Sequence, residues 1–177
     1  MKKVILTLCL FVFSLSLYSQ EPLKFLGIPI DGTKREMGAK LIAKGYEYDK
    51  VLDAYIGEFN GTNVCINIQT VNNKVWRLAI VDENGTNETN VKIRFNNLFD
   101  QFSNNGKYFL VGGEKVLDSE RLSYEITVNN KRYQASFAPL NNPLGGSVWY
   151  MIGKQYGDYR IVMFYENSNN AANGDDL

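Results

Sequence analysis

From residue 54 to 82 the pattern of apolar and polar side chains turns to the alternating period of strands, with Asn-rich corners between the runs. Residues 54–59, 64–71 and 75–83 (VWRLAIVDE) read as three strands, turned by NGTN at 60–63 and by Asn72-Asn73. Val64, Ile66 and Ile68 fall on one face, and Cys65, Asn67 and Gln69 on the other, as a period of two requires. Asn tolerates positive φ, so a two-residue Asn-Asn loop suits a tight hairpin. On both sides of this meander the period becomes helical. DGTKREMGAKLIAKGY predicts a helix over 33–46, capped by Thr33 with Glu36 three places later. Met37 and Leu41 start its inward stripe, Ile42 widens it, and Gly45 ends it in the left-handed conformation. Val91, Phe95, Leu98, Phe99 and Phe102 recur at three- and four-residue spacing, predicting a second helix over 91–105 that Gly106 stops. An aromatic stripe at that spacing is core rather than a cofactor pocket.

Four further strands are expected after this helix, in RLSYEITVN, KRYQASFAPL, SVWYMIGKQ and DYRIVMFYE. A leading extended segment over 23–30, broken by Gly27 and Pro29, precedes everything. Helices and strands are segregated, which gives an α+β fold: two helices packed on a mostly antiparallel sheet, in the order α-β-β-β-α-β-β-β-β. The pentapeptide TVNNK occurs at 70–74 and again at 127–131. Apolar phases agree after the two copies and disagree before them, and a one-residue slip inverts a strand's faces. The repeat therefore reads as two hairpins using the same turn chemistry. A single domain is expected over 21–166, followed by a disordered polar tail over 167–177.

The first twenty residues change where this domain is expected to act. MKKVILTLCLFVFSLSLYSQ has a basic start, an uncharged apolar run and small residues near its end, the pattern of a secretory signal peptide over 1–20. The run is too short to span a bilayer, so no stable membrane anchor is expected after cleavage near Ser19. The protein is expected to be exported through the inner membrane, to the periplasm or beyond. Without Lys2 and Lys3, the 19 basic residues fall to 17 against 19 acidic ones, a net charge of −2. That balance argues against a nucleic-acid partner. Only Cys65 remains outside the leader, so no intrachain disulfide is expected, and the fold must rest on its core. The chain holds no histidine, which excludes Ser-His-Asp and Cys-His catalysis and histidine-based zinc or copper sites.

FLGIPIDGTKREMGAKLIAKGY, YIGEFNGTNVCINIQTV and VWRLAIV, with the later NNGKYF and RIVMFYEN, resemble small secreted proteins of uncharacterised function found in Bacteroidetes. The layout is also similar to that of β-lactamase-inhibitor-like proteins, in which a helical pair packs on an antiparallel sheet. The opening helix after Gly-Thr resembles that of small outer-membrane assembly lipoproteins, whose lipidated cysteine this chain lacks. These resemblances imply fold more than function.

Candidate chemistry is sparse. Cys65 has no histidine to activate it, and its neighbours on the same strand face are Asn67 and Gln69. Asp82, Glu83, Asn84 and Glu88 gather oxygens in one segment, but an EF-hand needs Gly at the sixth place, where Asn87 stands. A solvated loop is expected, with no metal site and no cofactor. Asp118, Glu120 and Glu125 could serve a carboxylate-dependent hydrolase only if they faced one another across a cleft. Gly112-Gly113 and Gly145-Gly146 lack P-loop spacing and read as loops. The last two strands stand out. Val148, Tyr150 and Ile152 alternate with Trp149 and Met151; Tyr159, Ile161, Met163 and Tyr165 alternate with Val162 and Phe164. A sheet with one wet face should not be apolar on both. Either the second face is covered, or it presents some of Trp149, Tyr156, Tyr159 and Tyr165 to a partner. The expected function is an exported, non-enzymatic binding domain that recognises an envelope or secreted partner, protein or carbohydrate, through an aromatic sheet face or edge. A hydrolase and a structural envelope component are the two other classes.

Overall fold

Four hairpins in this protein turn on two consecutive residues of positive φ: Leu26-Gly27, Asn60-Gly61, Asn72-Asn73 and Tyr156-Gly157. Such loops match the twist of antiparallel strands and fix which residues pair. In a computed structural model, which describes residues 22–171, they organise an all-antiparallel architecture. The first turn joins β1 (Lys24–Phe25) to β2 (Ile28–Pro29), a separate small ribbon. Helix α1 (Lys34–Ala43) follows, then β3 (Glu47–Asp49), β4 (Ala54–Phe59), β5 (Thr62–Val71) and β6 (Lys74–Asp82). Helix α2 (Glu88–Ser103) leads into β7 (Tyr108–Gly113), a short helix α3 (Leu122–Thr127), β8 (Gln134–Pro139), β9 (Gly146–Gln155) and β10 (Asp158–Asn167). The eight-stranded sheet runs β3-β4-β5-β6-β10-β9-β8-β7.

That order is symmetric. Each half is a helix followed by a four-strand meander, and the two meanders meet through their last strands, β6 and β10. The halves match α1 with α2 and β3–β6 with β7–β10, so the two TVNNK copies do not correspond. The first makes the β5–β6 turn, whereas the second runs from the end of α3 into a loop with only Asn130 at positive φ. It is not a hairpin, contrary to expectation.

The architecture is α+β, but the sheet dominates more than two helices on a sheet would suggest. RLSYEITVN forms α3 instead of a strand. The Glu88 carboxylate accepts from the backbone N–H groups of Leu122 and Ser123 at 2.7 and 3.3 Å, capping this helix from a distance. Gly112 and Gly113, expected in a loop, complete β7, where Gly113 has φ +98° and lies against the β8 backbone. Residues 167–171 belong to the fold and not to the expected polar tail, whose remaining residues 172–177 lie outside the described ones. Asn167 is buried in β10 and donates to the Ile30 carbonyl at 2.7 Å, and Asn170 donates to Asp31 and to the Val75 carbonyl. The signal peptide expected over 1–20 lies outside the described residues.

Helix α1 starts as the sequence implies, with the reciprocal Thr33–Glu36 capping box. It ends in a Schellman motif at Gly45, where Tyr46 N–H reaches Leu41 O and Gly45 N–H reaches Ile42 O. Its buried face is Met37, Gly38 and Leu41, while Ile42 is exposed. Gly38 is needed for close approach, because a Cβ there would stand 1.9 Å from the Tyr55 hydroxyl. Gly38→Ala is expected to destabilise by about 1–3 kcal/mol, as overpacking does, measured by urea unfolding. Helix α2 buries Val91, Phe95, Leu98 and Phe102. It ends at Ser103 with Asn104 as cap, and Gly106 takes no part through a left-handed conformation.

Both long helices and the β1–β2 ribbon pack on one face of the sheet. Phe95 meets Tyr150 and Phe25 meets Tyr165, with ring centroids 4.9 and 5.1 Å apart. On β5, β9 and β10 one parity is buried and the other half-exposed along most of the length. Burying the first parity supplies the main driving force. The second parity forms the other face.

Candidate functional site

Strand register decides which aromatic residues reach that second face. On β10 the residues facing the helices are Tyr159, Ile161, Met163, Tyr165 and Asn167, all buried. Two of the four rings expected at the surface are therefore core. Tyr165 packs against Phe25, and burial pushes its hydroxyl pKa far up. Tyr159 is 4% exposed beneath the α2–α3 region, its pKa likewise raised by burial. Tyr156 is 99% exposed, but it is the first turn residue of the β9–β10 hairpin, with φ 52°. Seven residues separate it from Trp149, roughly 20 Å along a strand, so it stands apart.

Trp149 does lie on the open face, and it has company that the sequence reading did not single out. It pairs directly with Phe164 in the β9–β10 register, and the two rings stack at 4.2 Å. The Arg77 guanidinium lies 5.0 Å from the Phe164 ring and 3.9 Å from the Trp76 ring. A row Trp76, Arg77, Phe164, Trp149 thus crosses β6, β10 and β9 at the centre of the sheet. Glu166 fixes the row. Its carboxylate meets Arg77 at 2.5 Å and accepts from the Trp149 indole N–H at 2.9 Å and from the Ser147 hydroxyl at 3.1 Å. Met151 and Val162, paired with each other, extend the apolar surface along β9 and β10, and Val81 continues it onto β6.

Trp76 joins this row through a β-bulge. The β5–β6 register shifts so that Val75 pairs with Thr70 and Arg77 with Gln69, leaving Trp76 as the extra residue. Val75 is consequently buried, and Trp76 loses the inward phase it shares in sequence with Leu78 and Ile80. A bulge has no signature in a VWRL string. Phe164 did have one, because its parity carries Arg160 and Glu166, marking the wet side of β10.

Glu166 is engaged by three donors. Cys65, opposite Ile56 and Val81, has its thiol pKa raised by burial and is poor in thiolate. Four of the six carboxylates singled out in the sequence hold structural partners. Asp82 is buried against Arg94, and Glu88 caps α3, so neither belongs to a solvated loop. No cluster of metal-ligating side chains occurs among the described residues. Glu125 accepts from Asn129, while Glu120 is held by Lys131 at 2.7 Å and by the Tyr133 hydroxyl.

Burial raises the Glu120 pKa, but the hydrogen bonds from Lys131 and Tyr133 outweigh it and leave the carboxyl below its ordinary value. A depressed carboxyl contributes stability above its unfolded pKa of about 4.3 and loses it as pH falls through the lower folded value. The stability difference between the wild type and Glu120→Gln is therefore expected to shrink from pH 7 to pH 3, read by urea unfolding at each pH.

On the helix side, a cleft of about 420 Å³ opens between the β1–β2 ribbon and the end of α2, over Phe59, Leu98 and Phe102. Its floor is the core, and Lys24, Glu58 and Tyr108 stand among the residues that line it. No family model, no curated protein and no solved structure matches this chain, so the functional assignment rests on its own geometry.

Proposed function

We propose that this protein is an exported, non-enzymatic binding module that recognises a protein partner through the open sheet face centred on Trp149, Phe164, Arg77 and Trp76. The observation that carries the reading is the ordered row of two tryptophans, a phenylalanine and an arginine on the half-exposed side of the sheet. These residue types dominate the energetics of protein interfaces. Here Glu166 holds Arg77 and Trp149, which in turn pack on Trp76 and Phe164, so little side-chain freedom remains to be lost on binding.

A protein fits better than a carbohydrate. Sugars stack on open ring faces, whereas Trp149 and Phe164 cover one face of each other and Arg77 covers Trp76. Beside these rings lie a guanidinium and the flat apolar strip of Met151, Val162 and Val81, which suit a protein surface. The leader over 1–20 supports export, and the absence of histidine removes the common nucleophile–base machinery.

A photo-crosslinking residue placed at Met151 tests the proposal in the producing cells. One discrete protein adduct is expected, lost on Phe164→Asp, with none from the same residue at Ile42 on exposed α1. Equal adducts from both positions, or none at Met151, would contradict it.

A further inference from the structure

We propose that a second copy of this chain pairs antiparallel with β7, continuing the sheet across a two-fold axis. This surface is independent of the open face. Strand β7 ends the sheet, bonded to β8 on one side and to no other strand among the described residues. The opposite edge, β3, is blunted by being only three residues long. Strand β7 has six residues, and Phe109, Leu110 and Val111 are 39, 44 and 60% exposed. An apolar edge of this kind is a template for strand addition.

The flanking charges identify the added strand. Lys107 precedes β7 and Glu114 follows it, both exposed. In a symmetric pair centred between Leu110 and Val111, Tyr108 stands opposite Gly113 of the second copy and Phe109 opposite its Gly112. Lys107 then meets Glu114, twice by symmetry. Residues paired in an antiparallel ladder must share a face, and the bulge in β7 brings the outer pairs of this register onto common faces. Tyr108 and Gly113 pair with Pro139 and Ala135, which lie on one face of β8; Phe109 and Gly112 pair with Ala138 and Ser136, on the other. Without the extra residue between Leu110 and Gly112, the two ends of β7 would face opposite ways.

Sedimentation of the purified protein is expected to show a dimer and no larger species, since the pairing closes on itself. Val111→Lys sets two lysines near the axis and should give a monomer with an unchanged circular dichroism spectrum. Lys107→Glu opposes like charges at two contacts and should weaken the dimer roughly tenfold or more, with Glu114→Lys in the same chain restoring it. A monomer at about 0.1 mM, a higher oligomer, or a dimer indifferent to Lys107→Glu would overturn the proposal.

Discussion

Arg94→Met is expected to destabilise the protein by about 3–5 kcal/mol, because it leaves the Asp82 carboxylate buried without its counter-charge. Asp82 closes β6 and is 4% exposed. Arg94, on α2, meets it with two parallel bonds, Nε to Oδ2 and a terminal nitrogen to Oδ1, both 2.7 Å. The same carboxylate accepts the Ile161 backbone N–H at 3.2 Å, so one side chain ties α2 to β10, the neighbour of β6. Bidentate geometry and exclusion of water make the pair strong once formed, and costly to halve. The second substitution that relieves the loss must therefore remove the charge and keep the acceptor. Asp82→Asn added to Arg94→Met should recover most of the stability, whereas Asp82→Leu would orphan the Ile161 N–H. Urea unfolding of the two double variants separates them. A single Arg94→Met variant as stable as the wild type would show that the pair does not hold the helix to the sheet.

Phe102→Ala is expected to cost about 3–5 kcal/mol, the usual range for removing a buried phenyl ring. Phe102 lies where the end of α2 packs on the β7–β10 half of the sheet. Its ring is within 6.5 Å of four others: Phe137 and Tyr108, and, farther off, Tyr150 and Tyr165. Strands β7, β8, β9 and β10 each contribute one of these partners. The truncation opens a cavity among large rings that cannot collapse to fill it, which puts the cost at the upper part of the range. For a domain of this size, the expected fall in melting temperature is about 6–20 °C. Calorimetry gives the value directly, and a shift under about 2 °C would mean that the ring cluster is not a keystone of the core.

What the sequence disclosed follows from how local each cause is. The Thr33–Glu36 capping box, the left-handed stop at Gly45 and the Asn72-Asn73 turn are decided within a few residues, and they stand where the pattern places them. The α2 stripe was legible for the same reason. Features set by distant partners were not. Helix α3 forms in a strand-like string because Glu88, more than thirty residues away, supplies its cap. Trp76 turns outward through a bulge that only the β5 register reveals. The apolar excess in β9 and β10 was visible, but a period of two separates two faces without saying which one a helix covers. Tyr159 and Tyr165 fell to the covered side with Ile161 and Met163. Trp149 fell to the open side with Phe164, and the Arg160 and Glu166 flanking Phe164 on β10 are the residues that mark that side as wet.

Methionine oxidation by hydrogen peroxide reads the open face directly, since sulfoxide forms fastest on accessible side chains. Met151 is half-exposed beside Trp149, while Met37 and Met163 are 0% and 2% exposed on the helix side. In purified protein Met151 should oxidise first, with Met37 and Met163 protected until unfolding. In the cells that produce the protein, a bound partner should slow Met151 at least severalfold, and Phe164→Asp should restore the rate. Equal Met151 rates in cells and in isolation would contradict a partner on this face, and early oxidation of Met163 would contradict the face itself.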